Sequence, residues 1–176
     1  MNEIEYLTRK GEIALLKIKD TQIRKSIIEQ AVTAVDKGVH IGGAFSVTPM
    51  LACLYYGGFI RNDIGQPAAP GQDIFILSKG HAVAALASVY ADLGYFSREI
   101  LVNSRSRASI LNGHPGPLLP GVHISTGPLG QGVCAAAGFA VEGSGDPEFD
   151  VYAVTGDGEL QEGSVWEAVM FAGSRG

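Results

Sequence analysis

The segment that most restricts the fold is Asp150-Val-Tyr-Ala-Val-Thr155, an apolar run that passes directly into Gly156-Asp157-Gly158 and then into a helical pattern from about Glu162. A short apolar run bounded by turn residues reads as a strand buried on both faces, the mark of a parallel sheet covered by helices. A second such run, Asp73-Ile-Phe-Ile-Leu77, precedes an Ala-rich helical stretch from His81 to Leu93 that Gly94 ends. Short strands alternating with helices predict an α/β domain with a mainly parallel sheet.

The remaining segments fit that frame. Residues 3–37 carry helical periodicity through Ile23, Ile27, Ala31, Ala34 and Val35, with Arg24, Lys25, Glu29 and Asp36 around them. Asp20 or Thr21 supplies a cap at the start and Gly38 a stop. Thr48-Pro49 opens a helix through Met50-Leu-Ala-Cys-Leu-Tyr-Tyr56 that Gly57-Gly58 closes. Leu129 to Val141 predicts a closely packed Gly/Ala helix. Residues 113–132 hold six of the 24 glycines and four of the eight prolines, which makes them a rigid, structured loop. Thirteen of the 31 charged residues fall within residues 1–37, and none within 108–141, so the first segment reads as solvated and the second as enclosed. The helix after Gly158 has no third strand to deliver, which reads as an incomplete βα unit and hence a truncated or split chain.

Composition narrows the function. Hydrophobic residues make up 46% and charged residues 18%, which excludes disorder for the bulk of the 176 residues. A net charge of -5 argues against nucleic acid or an anionic membrane as the main partner. No apolar run, such as the nine residues Val133 to Val141, approaches the about 20 that a membrane span needs, and the N-terminus lacks a secretory apolar region. A soluble, cytoplasmic protein is expected. Cys53 and Cys134 lie 81 positions apart among apolar neighbours, which predicts two buried thiols in a reducing compartment rather than a disulfide.

Ligands of open α/β sheets bind at the carboxyl ends of the strands. Asp157 stands there as a hard oxygen ligand suited to Mg²⁺ or Ca²⁺, and Gly156 and Gly158 allow a phosphate close to the backbone. Neither a P-loop nor a dinucleotide fingerprint is present. An Asp-Gly turn that merely ends the strand is the plain alternative. His114 sits in the rigid loop, His40 beside Gly42-Gly43, and His81 after the first strand. Each imidazole can donate to phosphate or act on a substrate hydroxyl near neutral pH; taken alone, His40 and His81 read as caps or packed residues and His114 as a surface loop residue. His123, between Val122 and Ile124, reads as structural.

Taken in order, Gly38-Val-His40, Leu77-Ser-Lys-Gly-His81, Gly113-His114-Pro115, Thr126-Gly-Pro-Leu-Gly-Gln-Gly132 and Gly156-Asp-Gly-Glu-Leu-Gln-Glu-Gly163 with Trp166-Glu-Ala168 closely resemble the amino-terminal, diphosphate-binding region of transketolase. The likeness runs from about residue 20 to the last residue. It implies one three-layer thiamine-diphosphate-binding domain over 1–176, with a helical arm at about 1–38, truncated relative to the family. It implies transfer of a two-carbon ketol unit between sugar phosphates, those of the pentose phosphate pathway by default, using thiamine diphosphate and Mg²⁺ (or Ca²⁺). On that resemblance Asp157 is the metal ligand, and Gly156, Gly158 and His81 bind the diphosphate. Gly127, Pro128 and Leu129 lie along the aminopyrimidine. His40, His114 and Glu162 are catalytic, and Glu162 and Glu167 join an acidic cluster at a dimer interface. The Asn that completes the family's metal site, the Glu that activates the aminopyrimidine and the basic residues for substrate phosphate have no counterpart here. The resemblance therefore implies a partner, a carboxy-terminal transketolase half or subunit, in an oligomer of like or unlike chains. Leu160-Gln161-Glu162 and Gly113-His114-Pro115 favour transketolase over the related deoxyxylulose-phosphate synthase. The alternative of a non-catalytic phosphate-binding or regulatory domain does not need His40 and His114.

Overall fold

The structure is a computed structural model that describes residues 3–34, 38–66, 69–102 and 104–175, with side chains from residue 8 onward. Two short strands, β1 (Ile74–Leu77) and β2 (Val151–Val154), pair in parallel with Ile74 opposite Val151 and Leu77 opposite Val154. The helices are α1 (Glu3–Thr33), α2 (Ile41–Phe45), α3 (Thr48–Tyr56), α4 (Val83–Leu93), α5 (Gln131–Gly143) and α6 (Gly163–Gly173).

Side chains alternate across a strand, so β1 feeds two cores. Phe75 and Leu77 pack with Ile23 and Ile27 of α1, Leu51 of α3 and Leu86 and Val89 of α4. Ile74 and Ile76 face the other way, onto Ala136 and Phe139 of α5. The sheet is thus covered on both faces, and the α/β, three-layer expectation holds. Each fully buried Leu or Ile contributes about 1.5–3 kcal/mol, so β1, whose four residues are all buried, is the best anchored element of the sheet.

The amino ends of both strands are held by one carboxylate. Asp73 accepts the Arg61 backbone N–H at 2.7 Å, the Arg61 Nε–H at 3.0 Å and the Asp150 N–H at 2.9 Å. Burial alone would raise the Asp73 pKa; the hydrogen bonds and charge of Arg61, with the Asp150 amide, outweigh it and hold the group below its ordinary value.

Several boundaries differ from expectation. The first helix runs unbroken from Glu3 to Thr33, so neither Asp20 nor Thr21 caps a start. Asp20 instead accepts from Arg24 Nε at 2.9 Å and from the Thr48 hydroxyl, tying α1 to α3, and Thr21 bonds back to Lys17 within the helix. Val35 and Asp36 lie outside the described residues. Val47, not Thr48, is the residue before α3, with Pro49 in its first turn as expected. Helix α2 has no apolar periodicity long enough to announce it. Cys53 is exposed and Cys134 half-buried, which corrects the expectation of two buried thiols: Cys53 sits on the outer side of α3, opposite the buried Leu51 and Ala52. Among the described residues, no helix is long and apolar enough to cross a membrane.

Candidate functional site

The site forms where both strands end. After Leu77 the chain turns through Ser78 and Lys79 into a single 3₁₀ turn, Gly80–Ala82, that leads into α4. The Pro-rich loop is fastened over this turn, because the Thr126 hydroxyl donates to the Leu77 carbonyl at 2.7 Å. Gly80 makes the approach possible, since a Cβ there would stand 3.0 Å from the Gly127 nitrogen. Gly127 in turn lies against the His114 ring, 3.3 Å from its Cδ2 to an added Cβ.

His81 projects from the 3₁₀ turn and meets His40, which precedes α2. Their ring centroids are 5.7 Å apart at 74°, edge to face. The His81 ring rests on Gly43, where a Cβ would collide at 2.6 Å. Burial lowers the His81 pKa below its ordinary 6.5; the charge of Lys79 and the neighbouring His40 and His114 add to this, and Glu159 opposes it. His114 is lowered for the same first reason, burial, with His40 and Arg105 adding. Both rings are therefore neutral at pH 7, each with one nitrogen to donate and one to accept.

Beyond β2, Gly156-Asp157-Gly158 opens onto the 3₁₀ turn Gly158–Gln161. Asp157 precedes that turn but makes no side-chain capping bond, so the carboxylate is exposed and not consumed by the turn. An added Cβ at Gly158 would meet nothing within 4 Å, which leaves open space above the turn. Lys79 borders Gly156, 3.8 Å from Lys79 Cβ to an added Cβ, and its buried ammonium donates to Ser46 Oγ at 2.9 Å. These groups give one end of the sheet three imidazoles, one ammonium, one exposed carboxylate and glycine backbone, a combination suited to a phosphorylated ligand with a cation.

Of the residues expected at a site, His40, His81, His114, Gly127, Gly156, Asp157 and Gly158 converge at these strand ends. Pro128 and Leu129 follow on the same loop, both exposed. Glu162 precedes α6 and Glu167 lies on it, both exposed. His123 stands apart, edge-on to Phe139 at 6.5 Å. Among the described residues no three His, Cys, Asp or Glu side chains gather as a metal cluster, so Asp157 stands alone as a carboxylate donor.

Two residues of the site were not legible as such. Lys79 is buried where a lysine is ordinarily exposed. Glu159 is 1% exposed and accepts the Ser78 hydroxyl at 2.5 Å and the Gly130 N–H at 2.8 Å on Oε1, and the Gly156 N–H at 3.1 Å on Oε2. The only sequence signal was an acidic residue directly after a glycine turn, which usually marks solvent.

Comparison with known proteins agrees with this geometry. The family model described as "Transketolase, thiamine diphosphate binding domain" matches residues 20–176. Human transketolase is 41% identical over 90% of this chain, which covers 26% of that protein. One of the subunits of the apulose-4-phosphate transketolase of Phocaeicola vulgatus is 35% identical over 90% of this chain and 56% of its own length. The crystal structure of Campylobacter jejuni transketolase superposes with a TM-score of 0.83 at 31% identity, over 92% of this chain and 26% of that one. The chain thus spans about a quarter of full-length relatives and about half of a relative that is itself a subunit. With the family model matching nearly the whole chain and the strand ends carrying its motifs, this chain belongs to the transketolase thiamine diphosphate binding domain family.

Proposed function

We propose that the chain is the amino-terminal part of a thiamine-diphosphate-dependent transketolase, an enzyme that moves a two-carbon ketol unit between sugar phosphates. The observation that carries this reading is the free Asp157 carboxylate beside Gly158, at the same sheet end as three imidazoles. The residues fit the cofactor. Open space over Gly158 leaves room for a phosphate oxygen, and an exposed carboxylate is the donor Mg²⁺ takes when substrate phosphates complete its shell. When bound, thiamine diphosphate supplies the carbanion chemistry, and the protein supplies orientation and electrostatics.

Asp157 would hold Mg²⁺, and the glycines at 156 and 158 would let a diphosphate come close to the turn, with the Gly158 N–H free to donate to it. His81 would donate to the diphosphate, which a neutral ring can do through one N–H. The Gly127-Pro128-Leu129 backbone would lie along the aminopyrimidine. His40 and His114, exposed at the mouth, take and return protons at substrate hydroxyls near neutral pH. Glu162, just before α6, and Glu167 on it are both exposed and would face a second subunit. A second metal ligand, an aminopyrimidine carboxylate and a phosphate clamp would come from a carboxy-terminal transketolase region, which the similarity to a relative that is itself a subunit supports, in a cytoplasmic dimer or larger assembly. The substrates are sugar phosphates of the pentose phosphate pathway type.

Isothermal titration of thiamine diphosphate into the chain assembled with that half tests the reading. Binding that requires Mg²⁺ supports it. No binding, or equal affinity with and without Mg²⁺, contradicts it.

A further inference from the structure

We propose that Glu159 is a positioning residue that sets the Gly156-Asp157-Gly158 turn before any cofactor arrives; its consequence for the cofactor rests on the function proposed above. Three chain segments meet at this one carboxylate. Ser78 comes from the end of β1, Gly130 from the start of α5 and Gly156 from the end of β2. A carboxylate buried this deeply is costly unless its oxygens are satisfied, and three donors satisfy them here.

The clasp has no slack. Gly132 carries the α5 backbone so close to Ser78 that a Cβ would stand 2.5 Å from Ser78 Oγ. Gly130 has φ +84°, and a Cβ there would collide with Ser164 Oγ. Ser78 is fully buried and its own N–H bonds the Val154 carbonyl at 2.9 Å. The Glu159 side chain therefore reaches back from the 3₁₀ turn to the Gly156 amide two residues before it. Gly156 is held inward while the Asp157 carboxylate and Gly158 face the open space.

The division of labour between the two oxygens makes the proposal testable. In Glu159→Gln, one oxygen remains to accept from Ser78 and Gly130, and the new NH₂ faces the Gly156 N–H, donor against donor. Ser78→Ala removes one bond from the same clasp without touching Gly156. The first arm is amide hydrogen exchange by NMR on the full chain without cofactor. E159Q is expected to speed exchange at Gly156 by about tenfold while Gly130 keeps its protection, and S78A to leave Gly156 unchanged. Unchanged exchange at Gly156 in E159Q, or equal loosening at Gly156 in both variants, overturns the proposal.

The second arm uses the chain assembled with its carboxy-terminal half. E159Q is expected to weaken thiamine diphosphate affinity by about tenfold and to keep kcat at saturating cofactor within about twofold of wild type. A fall in kcat with affinity unchanged overturns the positioning role. If wild type itself fails to bind thiamine diphosphate, the proposed function falls, and the exchange arm still decides whether Glu159 sets the turn.

Discussion

His40 and His81 meet edge to face with ring centroids 5.7 Å apart, and His114 is close enough to perturb His81 as well. Adding protons to neighbouring imidazoles is unfavourable, and burial is the larger reason that His81 and His114 lie below 6.5. The sign follows from linkage: below 6.5 the unfolded chain binds more protons than the folded one. This contribution to stability is present above that value and is lost as pH falls through it. Urea unfolding is expected to show stability dropping between about pH 7 and 5, and His81→Gln to flatten part of the slope. A wild-type stability that does not change across that window contradicts the reading.

Asp73 acts lower on the pH scale. Its side chain is fully buried, and removing it orphans the Asp150 N–H as well as the Arg61 amide. Asp73→Ala is expected to cost about 1–3 kcal/mol, with Arg61, which is 57% exposed, returning to water. Because the folded pKa is depressed, the stabilisation is present above 3.8 and lost as pH falls below it. Denaturant titrations of wild type and variant that do not converge in acid speak against this assignment.

Asp157 should behave in the opposite way. It is exposed and caps nothing, so Asp157→Ala is expected to leave the thermal midpoint unchanged. In the assembled enzyme the same change is expected to weaken thiamine diphosphate binding in Mg²⁺ by about tenfold or more, ~1.4 kcal/mol. Chelating the Mg²⁺ should erase the difference. A variant that melts early and binds normally returns Asp157 to the role of a turn residue.

Cys53 gives a simpler check on the packing of α3. It is exposed, whereas Cys134 is half-buried with its thiol 3.5 Å from the Ser164 carbonyl. Iodoacetamide is expected to label Cys53 first in the native chain, read by peptide mass. Equal labelling of both thiols would place α3 differently.

The sequence made the strands, the parallel sheet and the strand-end location of the site legible, because each rests on local signals. Apolar runs ending in glycine turns mark Leu77 and Val154 directly. What stayed hidden depends on contacts distant in the chain. Asp20 looks like a helix cap until Thr48 is seen to claim it. Cys53 looks buried because its neighbours are apolar, and only the rotation of α3 turns it outward. Glu159 reads as a solvated acid, and its burial requires Ser78 and Gly130, residues 81 and 29 positions away. The histidines were recognisable as a set by their order along the chain, while their mutual distance came only with the fold.

The proposed ketol transfer needs the imidazoles and the glycine turn of this chain together with a carboxy-terminal transketolase half. The most direct measurement is ketol transfer between sugar phosphates, assayed with the chain alone, with the two halves combined, and with His114→Ala in the combination. The expected result is no turnover by the chain alone, turnover on combination with thiamine diphosphate and Mg²⁺, and loss of that turnover in the variant with cofactor affinity retained. Turnover by the isolated chain as a monomer, or unchanged turnover in His114→Ala, would contradict it.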